Sequence, residues 1–519
     1  VTAVHDRRWG VLAVLSIAVF LVVVDNTVVN VALPTLARDM RASNSALQWI
    51  VDGYSLPFAG LLLAGGGLSD RLGRRRVMQS ALVAFGVFSF VAAHATNVTT
   101  LLTARALMGG AAAFIFPATL SLLTVTFDDP SERATAFGVW GAVAGVAIAV
   151  GPVLGGVLLV HYWFGSIFLI NLPVVVAAVA LTAWIVPESR SPQHRRLDLP
   201  GLALGTGGVT TLVLAIIEGP SWGWAGSTTL ALFGAAAALL VTFVAVESRR
   251  SGPLLDVSVF RRRAFSSGAA AVSAAYFCLF GFIFLITQYF QLVRGYSALS
   301  AGVHTLPFAA VAMVATPLGA RAAVHAGARA VVSTGLFVMG ASMVWVSRIG
   351  AGAPFFGPVI GSMMVMALGF SLINAPATAA IMSTLSPEQI GAGAATNETT
   401  RELGGTMGVA VIGSVFSSFF APAVRRALSG VGVTGSTLAH AQRSMQLARA
   451  TVARLPAAVQ PRVAHEVTAA FINGLHRGCL VAALGVVSVG AVVLVAMPGR
   501  RRVRTQVVGL SPALTAAPG

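Results

Sequence analysis

Two charged residues interrupt long apolar runs, where water cannot reach them from the chain's own neighbours. Asp25 lies within "VVVDNTVVNVALP", in a run from about 10 to 33, and Arg105 lies within "LLTARALMGG", in a run from about 100 to 127. If these runs are membrane-spanning helices, an acidic residue at mid-depth costs about 2.5–3.5 kcal/mol on insertion scales. Such a residue must face the bundle interior or a water-filled cavity, and a carboxyl placed there can take a proton from one side and release it to the other. The alternative is structural, with Asp25 partnering Asn26 or another polar helix face. Asn26 and Asn30, at i and i+4, share a face beside it and are candidates to bond substrate or backbone. The Arg105 guanidinium keeps its proton, so it needs a carboxylate, carbonyls or water. Asp25 is a candidate partner; a proton-relay role and a purely structural one are both open for Arg105.

The elements that must position these groups are apolar helices. The chain has 519 residues, of which 56% are hydrophobic and only 10% charged, and its mean hydropathy is +0.84. Runs of about 18 residues or more recur along it, each long enough as a helix to cross a hydrocarbon core of roughly 30 Å. Bounded by charge, Pro or Gly, fourteen spans are expected at about 10–33, 47–68, 77–96, 100–127, 134–160, 164–186, 199–217, 226–246, 266–292, 300–320, 329–347, 354–384, 392–420 and 470–497. The first is too long for a signal-peptide core and is expected to be retained. The fold class is therefore an all-α polytopic membrane protein. The predicted domains are a six-span bundle at 1–186, a two-span insertion at 187–265, a six-span bundle at 266–497 and a tail at 498–519.

A net charge of +17 raises the possibility of nucleic acid. Its arginines, however, fall in short connections between apolar runs, which excludes a single basic binding face. Arg71, Arg74, Arg75, Arg76, Arg195, Arg196, Arg249, Arg250 and the Arg500–Arg502 cluster all fall on one side, while the short loops opposite carry Arg38, Arg41, Arg294 and Arg348. By the positive-inside rule both termini are cytoplasmic. The connection at about 421–468 is expected outside and long, with an interfacial amphipathic helix over Leu438–Val459. All 34 basic residues are arginine, which excludes a P-loop lysine and Schiff-base chemistry. Cys278 and Cys479 have no metal-ligand spacing and are expected to be buried thiols. No enzyme, cofactor or metal site is expected.

"GGGLSDRLGRRR" places Asp70 among four arginines within seven positions. A topology anchor needs only the arginines. Asp70 is better suited to meet a helix N-terminus or an arginine across a gap that opens and closes. Gly66, Asp70, Arg71, Gly73, Arg74 and Arg75 stand in the register of motif A, and the chain resembles the major facilitator superfamily. "VVVDNTVVNVALP" is similar to the motif of its fourteen-span drug:proton antiporters, "LLTARALMGGAAAFIFPATLSLL" to motif B, and "GVWGAVAGVAIAVGPVLGGVL" to motif C. The resemblance implies two six-helix bundles and two linker helices. It also implies that Asp70 latches against span 13 near Ile390, that Arg105 is a relay or cavity residue, and that protons are the coupling ion. The second-half loop "LGARAAVHAGARA" keeps Gly319, Arg321, Gly327 and Arg329 but has no Asp, so any latch is one-sided.

In span 5, Gly141, Gly145 and Ala149, followed by Gly151, Pro152, Gly155 and Gly156, are expected to let another helix approach closely. Arginine or lysine at Gly145 is expected to jam that interface. Glu398, Arg401 and Glu402 form either a local interfacial salt-bridge set or a second coupling carboxylate. Asp52 and Glu218 are expected in solvent-facing or capping roles. Gln288, Tyr289 and Gln291 are cavity candidates, and His304 is expected to be structural. The expected function is proton-driven export of hydrophobic compounds, cations among them, through a bacterial inner membrane, with the lipid bilayer as surroundings and no nucleic-acid or ATPase partner. An uptake symporter of the same fold, opposed by the motif C match, and a non-transporting sensor or scaffold are the alternatives.

Overall fold

The computed structural model describes residues 8–127, 129–190, 198–250, 257–385 and 390–499, and among them all regular structure is helical. Each predicted span coincides with a helix or a broken helix. Spans 1 to 6 are Arg8–Asp39, Asn44–Leu72, Arg74–Ala93, Val98–Thr126, Pro130–His161, and Ser166–Leu169 continued by Asn171–Ile185. Spans 7 and 8 are Leu199–Trp222 and Ser227–Glu247. Spans 9 to 14 begin with Arg263–Gln288 and its continuation Tyr289–Val293, then Ala298–Val303 with Leu306–Ala326, and Ala328–Val346. They end with Phe355–Val359 continued by Ile360–Met382, Ile390–Ser429 and Gln460–Ala496. Thirteen helices are long and apolar enough to cross a membrane, or fourteen when span 2 is counted through its 56° bend between Leu62 and Ala64.

Helix ends are set locally. Ser43 and Asn97 accept from the Ala46 and Thr100 amides at the starts of spans 2 and 4, and Asp198 does the same for Gly201 at span 7. Gly73 at φ +111° and Gly327 at φ +88° separate spans 2 and 3 and spans 10 and 11, a backbone region that favours glycine. The two turns thus repeat one device at equivalent places in the two sets of six.

Spans 1–6 pack mainly on one another, as do spans 9–14. Span 7 lies in the seam between spans 2 and 13, where Leu56, Val213, Ile216, Ile217 and Ala410 form a separate apolar cluster. Ser414 Oγ donates to the Ile216 carbonyl there at 2.7 Å.

The connection between spans 13 and 14 differs from expectation. Both helices run on past their apolar stretches, leaving only residues 430–459 between them. In place of one amphipathic helix over Leu438–Val459 there are two short ones, Gly435–Ala441 and Met445–Val452. The break is fixed by Ser444, whose hydroxyl caps the second helix by accepting from Leu447 N. It is fixed also by the Arg443 carbonyl, which accepts from Asn44 N at 2.7 Å. Met445, Ala448 and Val452 are buried against the bundle instead of lying in a lipid interface.

The first and last six spans meet on the face opposite motif A. Gln48 Nε2 donates to the Val409 and Ala410 carbonyls at 3.1 and 2.9 Å, and Gln291 Nε2 donates to Val31 O at 2.8 Å. Gly156 lies against the backbone of Leu299, and Gly302 against that of Pro152. These contacts close the far face. On the motif A face Arg71 and Leu72 are exposed. Because a Cβ at Gly156 would collide with the Leu299 backbone, Gly156→Leu is expected to shift the population away from far-face closure. Increased labelling of cysteines placed on the far-face ends of spans 1 and 9 would register it; unchanged labelling would show that this contact does not hold the closure.

Candidate functional site

Span 1 carries Asp25 to the centre of the first six spans, where it is fully buried. Span 4 brings Arg105, also fully buried, alongside: Nη1 donates to Asp25 Oδ2 at 2.6 Å. The other carboxylate oxygen accepts from Asn171 Nδ2 of span 6 at 2.7 Å. The same amide nitrogen donates to Ser89 Oγ at 3.0 Å, and Ser89 in turn donates to the Phe168 carbonyl at 2.8 Å. Arg105 Nε donates to Ile50 O at 3.3 Å, and its guanidinium carbon lies 4.3 Å from the Tyr54 ring centre, within cation–π range. Five spans therefore converge on one ion pair. Asn171, Ser89 and Tyr54 are not among the residues that the sequence singles out, although Asn171 carries a signal as a lone amide in the apolar run "SIFLINLPVVV".

A buried pair of this kind is costly to break from one side, because the remaining charge has no water to turn to. Its charge can nonetheless be changed at a single atom, by a proton. A proton arriving at Asp25 cancels the carboxylate charge, and Arg105 is left with the Ile50 carbonyl and the Tyr54 face. Arg105 Nη2 has no hydrogen-bond partner among the described residues, so the network has one donor in reserve.

Asn26 and Asn30 do not join Asp25. Both are half-buried, and Asn30 Nδ2 donates to Asn26 O at 3.4 Å within their own helix. The cavity candidates of span 9 are also engaged elsewhere. Gln288 Nε2 donates to Phe284 O at 3.0 Å, Tyr289 donates to Gly350 O at 3.0 Å, and Gln291 spans the two sets of helices at the far face. They are bonded scaffold groups in this conformation because each meets a backbone carbonyl, of its own helix for Gln288 and of another element for Tyr289 and Gln291.

Motif A is held within the first six spans. Arg74 Nε donates to Asp70 Oδ1 at 2.8 Å, across the Gly73 turn. Glu188, just beyond span 6, accepts from Arg75 N at 3.2 Å and faces Arg76, while Arg75 Nη1 donates to Val186 O at 3.3 Å. Among the described residues Asp70 has Arg74 as its ionic partner; residues 386–389, which lead into the expected latch point near Ile390, lie outside the described residues. Gly66 contacts Pro117 of span 4 only loosely, and Gly73 supplies the turn.

Motif C is divided. Gly151 and Gly155 pack on Thr27 and Val28 of span 1, Gly156 and Pro152 meet Leu299 and Gly302 of span 10, and Ala149 is half-buried. Gly141 and Gly145 are exposed, and a methyl group added at either would have nothing within 4 Å. A charge at Gly145 would therefore jam no interface in this state, because the side of span 5 that carries Gly141 and Gly145 is turned away from its neighbours, while Trp140 on the same helix packs on Phe116 of span 4.

Asp52 is not solvent-facing. It is fully buried in span 2, and neither carboxylate oxygen has a hydrogen-bond partner among the described residues. Glu402 of span 13 is buried facing Ser55 of span 2. Glu398 and Arg401 pair at 3.2 Å, but Arg401 also donates to Asn374 Oδ1 and Thr378 Oγ1 at 3.0 and 3.1 Å, so this is a bundle contact and not a membrane-surface one. Glu218 accepts from Trp49 Nε1 at 3.3 Å, tying span 7 to span 2 instead of capping its own helix. His304 sits among Tyr296, Phe290 and Phe355, its ring centre 4.3 Å from that of Phe355. Cys278 and Cys479 are buried free thiols.

This architecture agrees with the family model of the Major Facilitator Superfamily, which matches residues 15–409. The chain belongs to the major facilitator superfamily. It is 34% identical over 495 residues to the multidrug efflux pump LfrA of Mycolicibacterium smegmatis, covering 95% of this chain and 97% of that one. It is also 34% identical to the puromycin resistance protein pur8 of Streptomyces alboniger, covering 79% of this chain and 82% of that protein. The methyl viologen resistance protein SmvA of Salmonella typhimurium matches at 34% identity, with 85% and 88% covered. In fold, the chain is similar to a bacterial homolog of the human lysosomal transporter Spinster in an inward-facing, unoccupied conformation, with a TM-score of 0.67 at 16% identity, covering 95% of this chain and 97% of that one. This major facilitator protein is thus a multi-pass membrane protein, and the site lies inside the bundle formed by its first six spans.

Proposed function

We propose that the protein is a proton-coupled exporter of hydrophobic compounds, cations among them, working by alternating access from a bacterial inner membrane with the motif A face and both termini in the cytoplasm. It acts as a carrier and not as an enzyme, and needs no cofactor or ATPase beyond the proton gradient. The observation that carries the reading is the fully buried Asp25–Arg105 pair at 2.6 Å. Transport requires a group whose two states favour different access conformations. The relatives named as a multidrug efflux pump and as resistance proteins support export as the direction.

In this reading residues 1–186 and 266–497 are the two halves that rock, and spans 7 and 8 link them. With Asp25 ionised, its charge holds spans 1, 4 and 6 together through Arg105 and Asn171. Protonation from the outside loosens that set and favours return to the state open on the motif A face, while substrate binding from the cytoplasm favours proton release. Asp52, buried in span 2, and Glu402, buried against Ser55 of span 2, are the candidates for further proton uptake, and Asp70 exchanges Arg74 for span 13 when the motif A face closes. The test is export of a cationic dye by the purified protein in vesicles under an imposed pH gradient. Dye movement that follows the gradient and stops when a protonophore collapses it supports the reading; movement indifferent to the gradient overturns it.

A further inference from the structure

On the far face, the end of span 11 and the start of span 12 border an open groove of about 510 Å³. Its walls are Ala341, Val344, Trp345, Ala353 and Pro358, with Arg348 at its rim. The groove exists because span 12 does not start as a regular helix: Phe356 is extended at ψ 125°, and Gly357 has φ +99°, which opens the first turn beside Pro358. Phe356 is thrown outward and is 81% exposed. The connecting segment is fastened from behind. Arg294 Nη1 donates to the Ala353 carbonyl, Tyr289 to Gly350 O at 3.0 Å, and His476 Nε2 faces Ile349 O at 2.9 Å. The groove is therefore a formed feature of spans 9, 11, 12 and 14 and not a gap between loose side chains.

Its chemistry is two-part. The interior is apolar, while Arg348 is exposed and has no ion-pair partner among the described residues. Trp345 lies between them, an amphipathic ring of the kind that settles at a membrane–water boundary. Both neighbouring spans end at this level, so the groove runs from the hydrocarbon into the headgroup layer. We propose that it binds one anionic phospholipid, with an acyl chain along the apolar wall and the phosphate on Arg348. The charge complementarity selects an anion, and the apolar wall, which a free anion would leave uncovered, selects a lipid.

The test uses the purified full-length protein in detergent, titrated with short-chain phosphatidylglycerol or phosphatidylcholine and read by native mass spectrometry. Wild type is expected to prefer phosphatidylglycerol. Arg348→Gln should weaken phosphatidylglycerol binding about fivefold, the worth of one interfacial arginine against an anionic headgroup, and leave phosphatidylcholine unchanged. Arg348→Lys should restore most of the preference, and Ala341→Trp, which fills the groove, should weaken both lipids. Inorganic phosphate should not compete. Undiminished phosphatidylglycerol binding by Arg348→Gln would overturn the proposal. So would displacement of the lipid by inorganic phosphate, which would leave a surface anion site with no role for the groove.

Discussion

Asp25→Asn is expected to leave the protein inserted in the membrane but to reduce pH-gradient-driven export to the leak of protein-free vesicles. Insertion is set by the apolar spans and the arginine-rich connections, neither of which the substitution touches. The amide is nearly the shape of the carboxyl and can offer its oxygen to Arg105 Nη1 and its nitrogen to Asn171, provided the Asn171 amide turns round. What it cannot do is ionise. Spans 1, 4 and 6 then lose the charge that distinguishes one access state from the other, and a gradient has nothing to act on at this site. Vesicle export assays on matched amounts of protein measure this; export at the wild-type rate would remove Asp25 from the coupling.

The second large effect is expected from Arg105. Arg105→Met keeps much of the side-chain volume and removes the charge, leaving Asp25 buried with only Asn171 as a donor. Breaking a buried pair from one side costs about 3–5 kcal/mol, whereas replacing both partners is often close to neutral. The single variant should therefore melt well below wild type, and the double variant Asp25→Asn with Arg105→Met should recover most of that loss while remaining inactive in coupled export. Thermal unfolding of the four proteins in one detergent forms the double-mutant cycle. Equal melting of Arg105→Met and wild type would mean that the pair does not hold spans 1 and 4 together.

Much of this can be read from the chain because a bilayer imposes length and polarity on every span. The fourteen apolar runs correspond to the observed helices, and Asp25 and Arg105 stand out because charge is rare at such depth. What escapes is decided by tertiary contacts. Asp52 follows closely on the polar start of span 2, and nothing in "LQWIVDGYSL" shows that the fold buries it completely. Gly141 and Gly145 have the same four-residue spacing as Gly151 and Gly155, yet only the latter pair meets a neighbour, because it lies on the side of span 5 that span 1 covers. Span 13 continues to Ser429 because helices outlast hydropathy: Arg425 and Arg426 end an apolar window without ending a helix. The one amphipathic helix expected over Leu438–Val459 is replaced by two because a cap at Ser444 and a bond from Asn44, far away in sequence, fix a break that periodicity does not register.

The most direct test of Asp25 as the exchanging group is proton release on substrate binding. Purified protein in weakly buffered detergent solution, given a cationic dye that it exports, should acidify the medium in proportion to the dye bound, and Asp25→Asn should bind the dye with little or no acidification. Proton release by Asp25→Asn equal to that of wild type would contradict the account.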